Sequence, residues 1–319
     1  MKKVLFLLLA AGLFSSHDMF LKLDSYFLPP DSATIVQLYN GTFEESSNVI
    51  ARDRMEDVSV VAAGRRTRLD TTQWSERDST TLLQLQTGAP GTYVVGVSTR
   101  ARSIALAADD FNGYLEHDGI LDMLQSRTDN NTLDQDAVEL YSKHVKSIFQ
   151  VGEESSTDWQ TVLEYPLEFV PLENPYDLHA GHDLGIRLLR DGQPLADQLV
   201  YVGTPGDSHS HSHDGGETHT HTASTTQHRT DADGTLTMEL PTEGEYYLRT
   251  IQLVESTDPE LTHESNWATL TFAVGGSDHS HGEGDHAHTH ESGGIPTSVV
   301  IIGSLALLGG LFFFFKRKA

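Results

Sequence analysis

The 319-residue chain contains no cysteine. That excludes disulfide bridges, thiolate metal sites and cysteine nucleophiles. Methionine is sparse, at five residues, so a thioether site for Cu(I) has little to draw on. Basic residues are scarce: 21 Lys and Arg stand against 46 Asp and Glu, a formal net charge of −25. Such a surface repels nucleic acid and anionic lipid and attracts cations; it also suits plain solubility in an exposed compartment. Catalytic signatures are missing too. There is no Gly-x-Ser-x-Gly elbow, no His-Glu-x-x-His pair and no phosphate-binding loop. Carboxylate pairs are so common in this chain that they single out no general acid or base. Nothing points to an enzyme.

Long apolar runs occur only at the two ends. Residues 1–16 read as a signal peptide: Lys2 and Lys3, then Val4 to Phe14, then Ser15 and Ser16. The run is shorter than the roughly 20 residues a bilayer span needs, although a retained anchor helix is the alternative. At the other end, residues 295–315 carry no charge and precede Lys316, Arg317 and Lys318. This is a transmembrane helix with a cytoplasmic basic tail at 316–319. The expectation is a single-pass membrane protein with its bulk extracytoplasmic, in a periplasm or at a cell surface. Setting aside the five basic residues of the ends, 16 remain against 46 acidic ones, a net charge of −30.

Between the ends, short β-type segments recur between Gly and Pro turns: Thr34 to Leu38, Val58 to Ala62, Leu82 to Gln86 and Thr92 to Ser98. From Asp109 the pattern changes. Asp110 to Gln125 reads as a helix, and Leu133 to Phe149 carries Val138, Tyr141, Val145 and Ile148 at helical spacing. After the break at 171–175, strands are expected at Leu184 to Leu189, Leu199 to Val202, Thr235 to Leu240, Tyr246 to Thr250 and Trp267 to Val274. Turns fall at Asp191-Gly192 and Asp231 to Gly234. The fold class is therefore mainly β: two β-sandwich domains plus one C-terminal transmembrane helix. The first sandwich, 17–170, has a helical insertion at about 109–150, and the second covers 171–276.

What the chain has in quantity is histidine, 17 in all. One low-complexity loop, 207–228, holds His209, His211, His213, His219, His221 and His228. A tether, 277–294, holds His279, His281, His286, His288 and His290. Imidazoles at i and i+2 on an extended chain point the same way and can share an ion. Such segments bind Ni, Co, Zn or Cu loosely; the bland alternative is a solvated spacer. His179 and His182, three apart beside the break, are a further candidate clamp. His17 is set apart by its place. Cleavage after Ser16 makes it residue one, whose amine and imidazole chelate a metal together. Cleavage after Ser15 makes it residue two. Cleavage after Phe14 makes it residue three, a position where amine, two amides and imidazole form a square-planar site. His117, His144 and His263 read as surface or packing residues.

Several stretches resemble the family of bacterial exported proteins with the domain of unknown function 4198. They are His17-Asp18-Met19-Phe20, Asn40 to Glu44 with Ala51 to Arg54, Glu139 to Lys146, and Pro166 to Tyr176 with Asp191 to Leu195. That family is related to the periplasmic component of nickel/cobalt uptake transporters, and the resemblance implies a metal-transporter membrane subunit as partner. Thr230 to Gly234 and Gly244 to Leu248 resemble carboxypeptidase-regulatory, transthyretin-like sandwiches, which implies an accessory or binding module. Two functions are expected from these readings. One is extracytoplasmic capture, buffering or delivery of a divalent transition metal. The other is a non-catalytic surface module for a protein or glycan, with the histidines as spacers.

Overall fold

Neighbouring residues on the central strands face opposite cores. Val94 joins one core while Tyr93 and Val95 join the other, and Ile148 and Phe149 divide in the same way. That is the period of two of a strand covered on both faces. The computed structural model describes residues 17–205 and 225–275. The expected signal peptide, the histidines from His209 to His221, and the tether, transmembrane helix and tail from 277 onward lie outside those residues. Among the described residues, no helix is long and apolar enough to cross a membrane.

In chain order the strands are β1 (Asp18–Lys22), β2 (Phe27–Leu28), β3 (Ala33–Gly41), β4 (Met55–Ala62), β5 (Arg65–Arg68), β6 (Trp74–Arg77), β7 (Thr80–Gln86), β8 (Gly91–Thr99) and β9 (Arg102–Leu106). Two helices follow, α1 (Ala108–His117) and α2 (Leu121–Asp129). Then come β10 (Ala137–Val151), β11 (Leu167–Pro171), β12 (Asp183–Arg190), β13 (Gln193–Pro194), β14 (Leu199–Gly203), β15 (Thr226–Arg229), β16 (Thr235–Glu239), β17 (Gly244–Glu255) and β18 (His263–Val274). The described residues are mainly β, built from three sheets.

The central sheet has ten strands and runs β15-β14-β17-β18-β10-β8-β4-β5, with β2 and β9 also paired to β10. A four-stranded sheet, β1-β3-β7-β6, covers one face. A third sheet of β11, β12, β13 and β16 covers the other. The stretches before and after residue 170 share the central sheet, because β10 pairs in parallel with β18 from Glu139↔His263 to Ser147↔Thr271. The described residues belong to one compact unit.

The expected helix over 133–149 is corrected: Ala137–Val151 is a 15-residue strand, and the helical insertion ends at Asp129. The physical reason is burial on both faces. Apolar residues on such a strand need not alternate, so Val138, Tyr141, Val145 and Ile148 imitate a helical stripe by chance. The residues are also β-branched or aromatic, types that favour strands.

The single helix expected over Asp110 to Gln125 is two, α1 and α2, separated by the turn at 118–120. Phe111 and Leu115, one turn apart, are fully buried against Ile251 and Trp267. α1 ends in a Schellman motif: Ile120 N donates to Leu115 O at 2.8 Å and Gly119 N to Glu116 O at 3.3 Å. Gly119 has φ +71°, and a Cβ there would collide with the Tyr201 hydroxyl. Tyr201 Oη in turn donates to Gly119 O at 2.7 Å. The turn 117–120 is therefore pinned to β14.

Candidate functional site

One face of the central sheet is covered in two parts. The helical pair covers one end, and β1 lies over the other, tied down where Thr269 Oγ1 and Thr271 Oγ1 donate to the carbonyls of Met19 and Leu21 at 2.7 and 2.5 Å. Where the two parts meet, the α1–α2 turn faces the start of β1. Two His-Asp dipeptides, His17-Asp18 and His117-Asp118, are brought there from 100 residues apart in the sequence.

Arg249 on β17 clamps them. Its Nη1 lies 3.4 Å from Asp18 Oδ2, and its Nη2 donates to Asp118 O at 3.0 Å. The guanidinium carbon stacks 4.7 Å from the Tyr201 ring centre. Burial works against the guanidinium's charge, but Asp18 and Asp118 outweigh it and hold its pKa above the ordinary arginine value. Lys143 on β10 completes the cationic side. Its Nζ sits 4.6 Å above the Trp267 ring and donates to the His17 carbonyl.

The local electrostatics are strained in several directions. Burial pulls the Lys143 ammonium down to about 8. Burial, then the Lys143 charge, lowers His17 below the ordinary imidazole value. Burial raises Asp18 above the usual carboxylate range, despite Arg249. Glu139, beneath Tyr114 and Ser265, is also raised by burial; Tyr114 Oη donates to its Oε1 at 3.2 Å. His117 moves the other way, raised by its hydrogen bond to Asp118, with Nδ1 2.7 Å from Oδ1. Asp118 is only 6% exposed, yet its second oxygen, Oδ2, is buried with no hydrogen-bond partner. Clustered groups with opposed shifts are what functional sites tend to collect.

The other predicted ligands are placed apart from this cluster. His179 and His182 are exposed before β12, with ring centres 5.9 Å apart, and His182 Nδ1 accepts from His179 N at 3.4 Å. His228 is on β15 rather than in a free loop. It pairs with Val200, and its Nε2 is 3.0 Å from Thr226 Oγ1. His209, His211, His213, His219, His221, His279, His281, His286, His288 and His290 lie outside the described residues. Among the described residues, no three His, Asp or Glu side chains are gathered so as to hold a metal ion. His144 and His263 are buried, as the sequence suggested for packing residues. His117, expected to be a surface or packing residue, stands in the cluster. Its pairing with His17 has no sequence signal beyond the repeated His-Asp dipeptide.

A β-rich fold with a polar cluster at its first strand sets the class, and the family follows from the sequence. The chain belongs to the family of the domain of unknown function DUF4198, whose model matches residues 14–253. No curated protein matches it. Among solved structures, the D0-D1 domain of intimin is 10% identical, covering 80% of this chain and 97% of that one, with a TM-score of 0.19. Trypsin-activated alpha-2-macroglobulin from Escherichia coli is 8% identical, covering 81% of this chain and 15% of that one, with a TM-score of 0.21. The Escherichia coli adhesin FdeC is 13% identical, covering 82% and 64%, with a TM-score of 0.20. Likenesses this faint carry no argument about fold or function.

Proposed function

We propose that this protein is a membrane-anchored, extracytoplasmic binder of divalent transition-metal ions, Ni(II), Co(II), Zn(II) or Cu(II). It captures and buffers metal, or delivers it to the membrane subunit of a transporter. Residues 295–315 are the membrane-spanning anchor, residues 277–294 the tether and residues 1–16 the export signal. The supporting observation is the placement of His17: half-buried, at the start of β1, beside His117 and the carboxylates of Asp18 and Asp118. Imidazole and carboxylate suit these ions, while the absence of cysteine removes the thiolate alternative. The histidines of 207–228 and 278–291 serve as a weaker, multivalent collector. Metal then passes by ligand exchange to the ordered cluster, and the transthyretin-like second half is accessory. The resemblance read from the sequence to the periplasmic component of nickel/cobalt uptake transporters favours this choice of ions.

The test is calorimetric titration of the full chain in detergent with each of the four ions. A companion protein carries serine in place of the ten histidines at 209–221 and 279–290. Binding of several weak equivalents that vanish in the companion, together with one tight equivalent that survives, is the expected result. A full chain that binds none of the four ions more tightly than a histidine-free acidic protein rules the function out.

A further inference from the structure

We propose that removal of the signal before His17 completes a mononuclear copper(II)-type site. Its donors are the α-amine and imidazole of His17 and the Nε2 of His117. The proposal rests on the metal-binding reading above and deepens it. Among the described residues, side chains alone do not assemble a three-ligand site; a main-chain nitrogen is needed to complete one. A peptide nitrogen at His17 is a poor ligand, whereas a terminal amine on the same atom is a good one. Cleavage thus turns one residue into a bidentate chelate, and His117 becomes the third nitrogen. Three nitrogens in this arrangement suit an ion that prefers tetragonal geometry, Cu(II) ahead of Ni(II).

Three observations bear on the proposed donors. First, Arg249 contacts both dipeptides, through the Asp18 carboxylate and the Asp118 carbonyl, which brings the start of β1 against the 117–118 turn. Lys143 grips the His17 carbonyl, so the residue is anchored from its carboxyl side. Second, Asp118 Oδ1 holds His117 Nδ1 at 2.7 Å. When Nδ1 carries the proton, the lone pair is on Nε2; a carboxylate fixing a histidine in this way is the usual outer partner of a metal-bound imidazole. Third, Asp118 Oδ2 is buried without a hydrogen-bond partner while its charge reaches His17, Asp18, Lys143 and Arg249. A buried orphan oxygen is costly. The carboxylates of Asp18 and Asp118 offset the repulsion that Lys143 and Arg249 impose on a divalent cation.

The experiment uses the processed full-length protein in detergent, with serine at the ten histidines of 209–221 and 279–290. Mass spectrometry first reads its N-terminus, and Cu(II) is then titrated and followed by electron paramagnetic resonance. The expected result is His17 at residue one and one Cu(II) per chain with three coupled nitrogens. His117→Gln and Asp118→Asn should each weaken binding by about 10–100-fold. A form whose N-terminal amine is blocked by acetylation leaves every side chain in place, so folding is not at issue; it should lose a coupled nitrogen and bind as poorly as His117→Gln. Tight binding that persists in the acetylated form or in His117→Gln overturns this site, as does a mature N-terminus elsewhere. In those cases metal capture by the wild-type histidine-rich segments stands. If the unaltered chain also binds none of Ni(II), Co(II), Zn(II) and Cu(II), the broader function fails with it.

Discussion

Lys143 and Lys146 are three residues apart on one strand, both buried, and face opposite layers. Lys146 is fully matched. Its Nζ donates to Thr161 O at 3.0 Å, Phe169 O at 2.9 Å and Glu168 Oε2 at 3.1 Å, and both members of that ion pair are 1% exposed. Lys143 is held by a backbone carbonyl and an indole face, with the charges of Asp18 and Asp118 acting from farther off. On one side of the sheet the lysine's donors are all taken up by neighbouring acceptors and serve the fold. On the other they are left loosely matched beneath β1 and the 117–120 turn. Equal burial therefore does not mean equal role; what distinguishes the two lysines is whether their donors are used up.

The largest expected effect tests the matched side. Lys146→Met leaves the Glu168 carboxylate buried without its cation, and Oε1 of that residue already lacks a partner. Breaking such a pair costs about 3–5 kcal/mol, whereas replacing both members by apolar groups is often neutral. Urea unfolding should show that loss for Lys146→Met, with most of it recovered in Lys146→Met/Glu168→Leu. A Lys146→Met protein as stable as wild type would erase the distinction between the two faces.

The same substitution at Lys143 should act in the opposite direction. Its folded pKa, about 8, lies below the ordinary value of 10.5. Between those values the unfolded chain binds more protons, so stability rises with pH there; below about 8 the folded state carries the charge at a cost. A shift of about 2.5 units corresponds to roughly 3 kcal/mol at most. Lys143→Met should therefore be more stable than wild type near neutral pH. The gain should shrink to nothing as the pH rises past about 10.5, since both states of wild type then carry a neutral lysine. A loss of stability at neutral pH would mean that Lys143 is a structural residue like Lys146.

Much of the framework was legible because it depends on local signals. The segments Thr34 to Leu38, Val58 to Ala62, Leu82 to Gln86 and Thr92 to Ser98 fall inside β3, β4, β7 and β8. The Asp191-Gly192 turn has positive φ at both residues, 49° and 74°, and joins β12 to β13 as a two-residue hairpin loop. β10 was misread because a strand buried on both faces loses the alternation by which strands are recognised. For the site, His17-Asp18 was legible from its place after the apolar N-terminal run. Arg249, 231 residues from Asp18 in sequence, was not. Neither were Lys143 and His117, since a parallel β10–β18 pairing and a helical turn bring them together, and neither arrangement leaves a mark on spacing.

The smallest effect returns to the matched face and sharpens what matching means there. Asp57 on β4 is buried, and its Oδ2 accepts from Tyr165 Oη at 2.7 Å, Ser59 Oγ at 2.7 Å and Arg66 Nη2 at 2.6 Å. Burial alone would raise this carboxyl. The hydrogen bonds from Tyr165, Ser59 and Arg66 outweigh it and hold the pKa below the ordinary 3.8. A carboxylate with a depressed folded pKa contributes stability above its unfolded value, and that contribution is lost as pH falls through the folded value. Tyr165→Phe deletes one donor to a charged group, which should cost about 1.5 kcal/mol near neutral pH. The difference from wild type should persist down to about pH 4 and close below it, as the carboxyl becomes protonated in both folded proteins. A difference independent of pH would assign the loss to packing of the tyrosine ring. In that case the hydroxyl would not be one of the groups that settles the charge of Asp57.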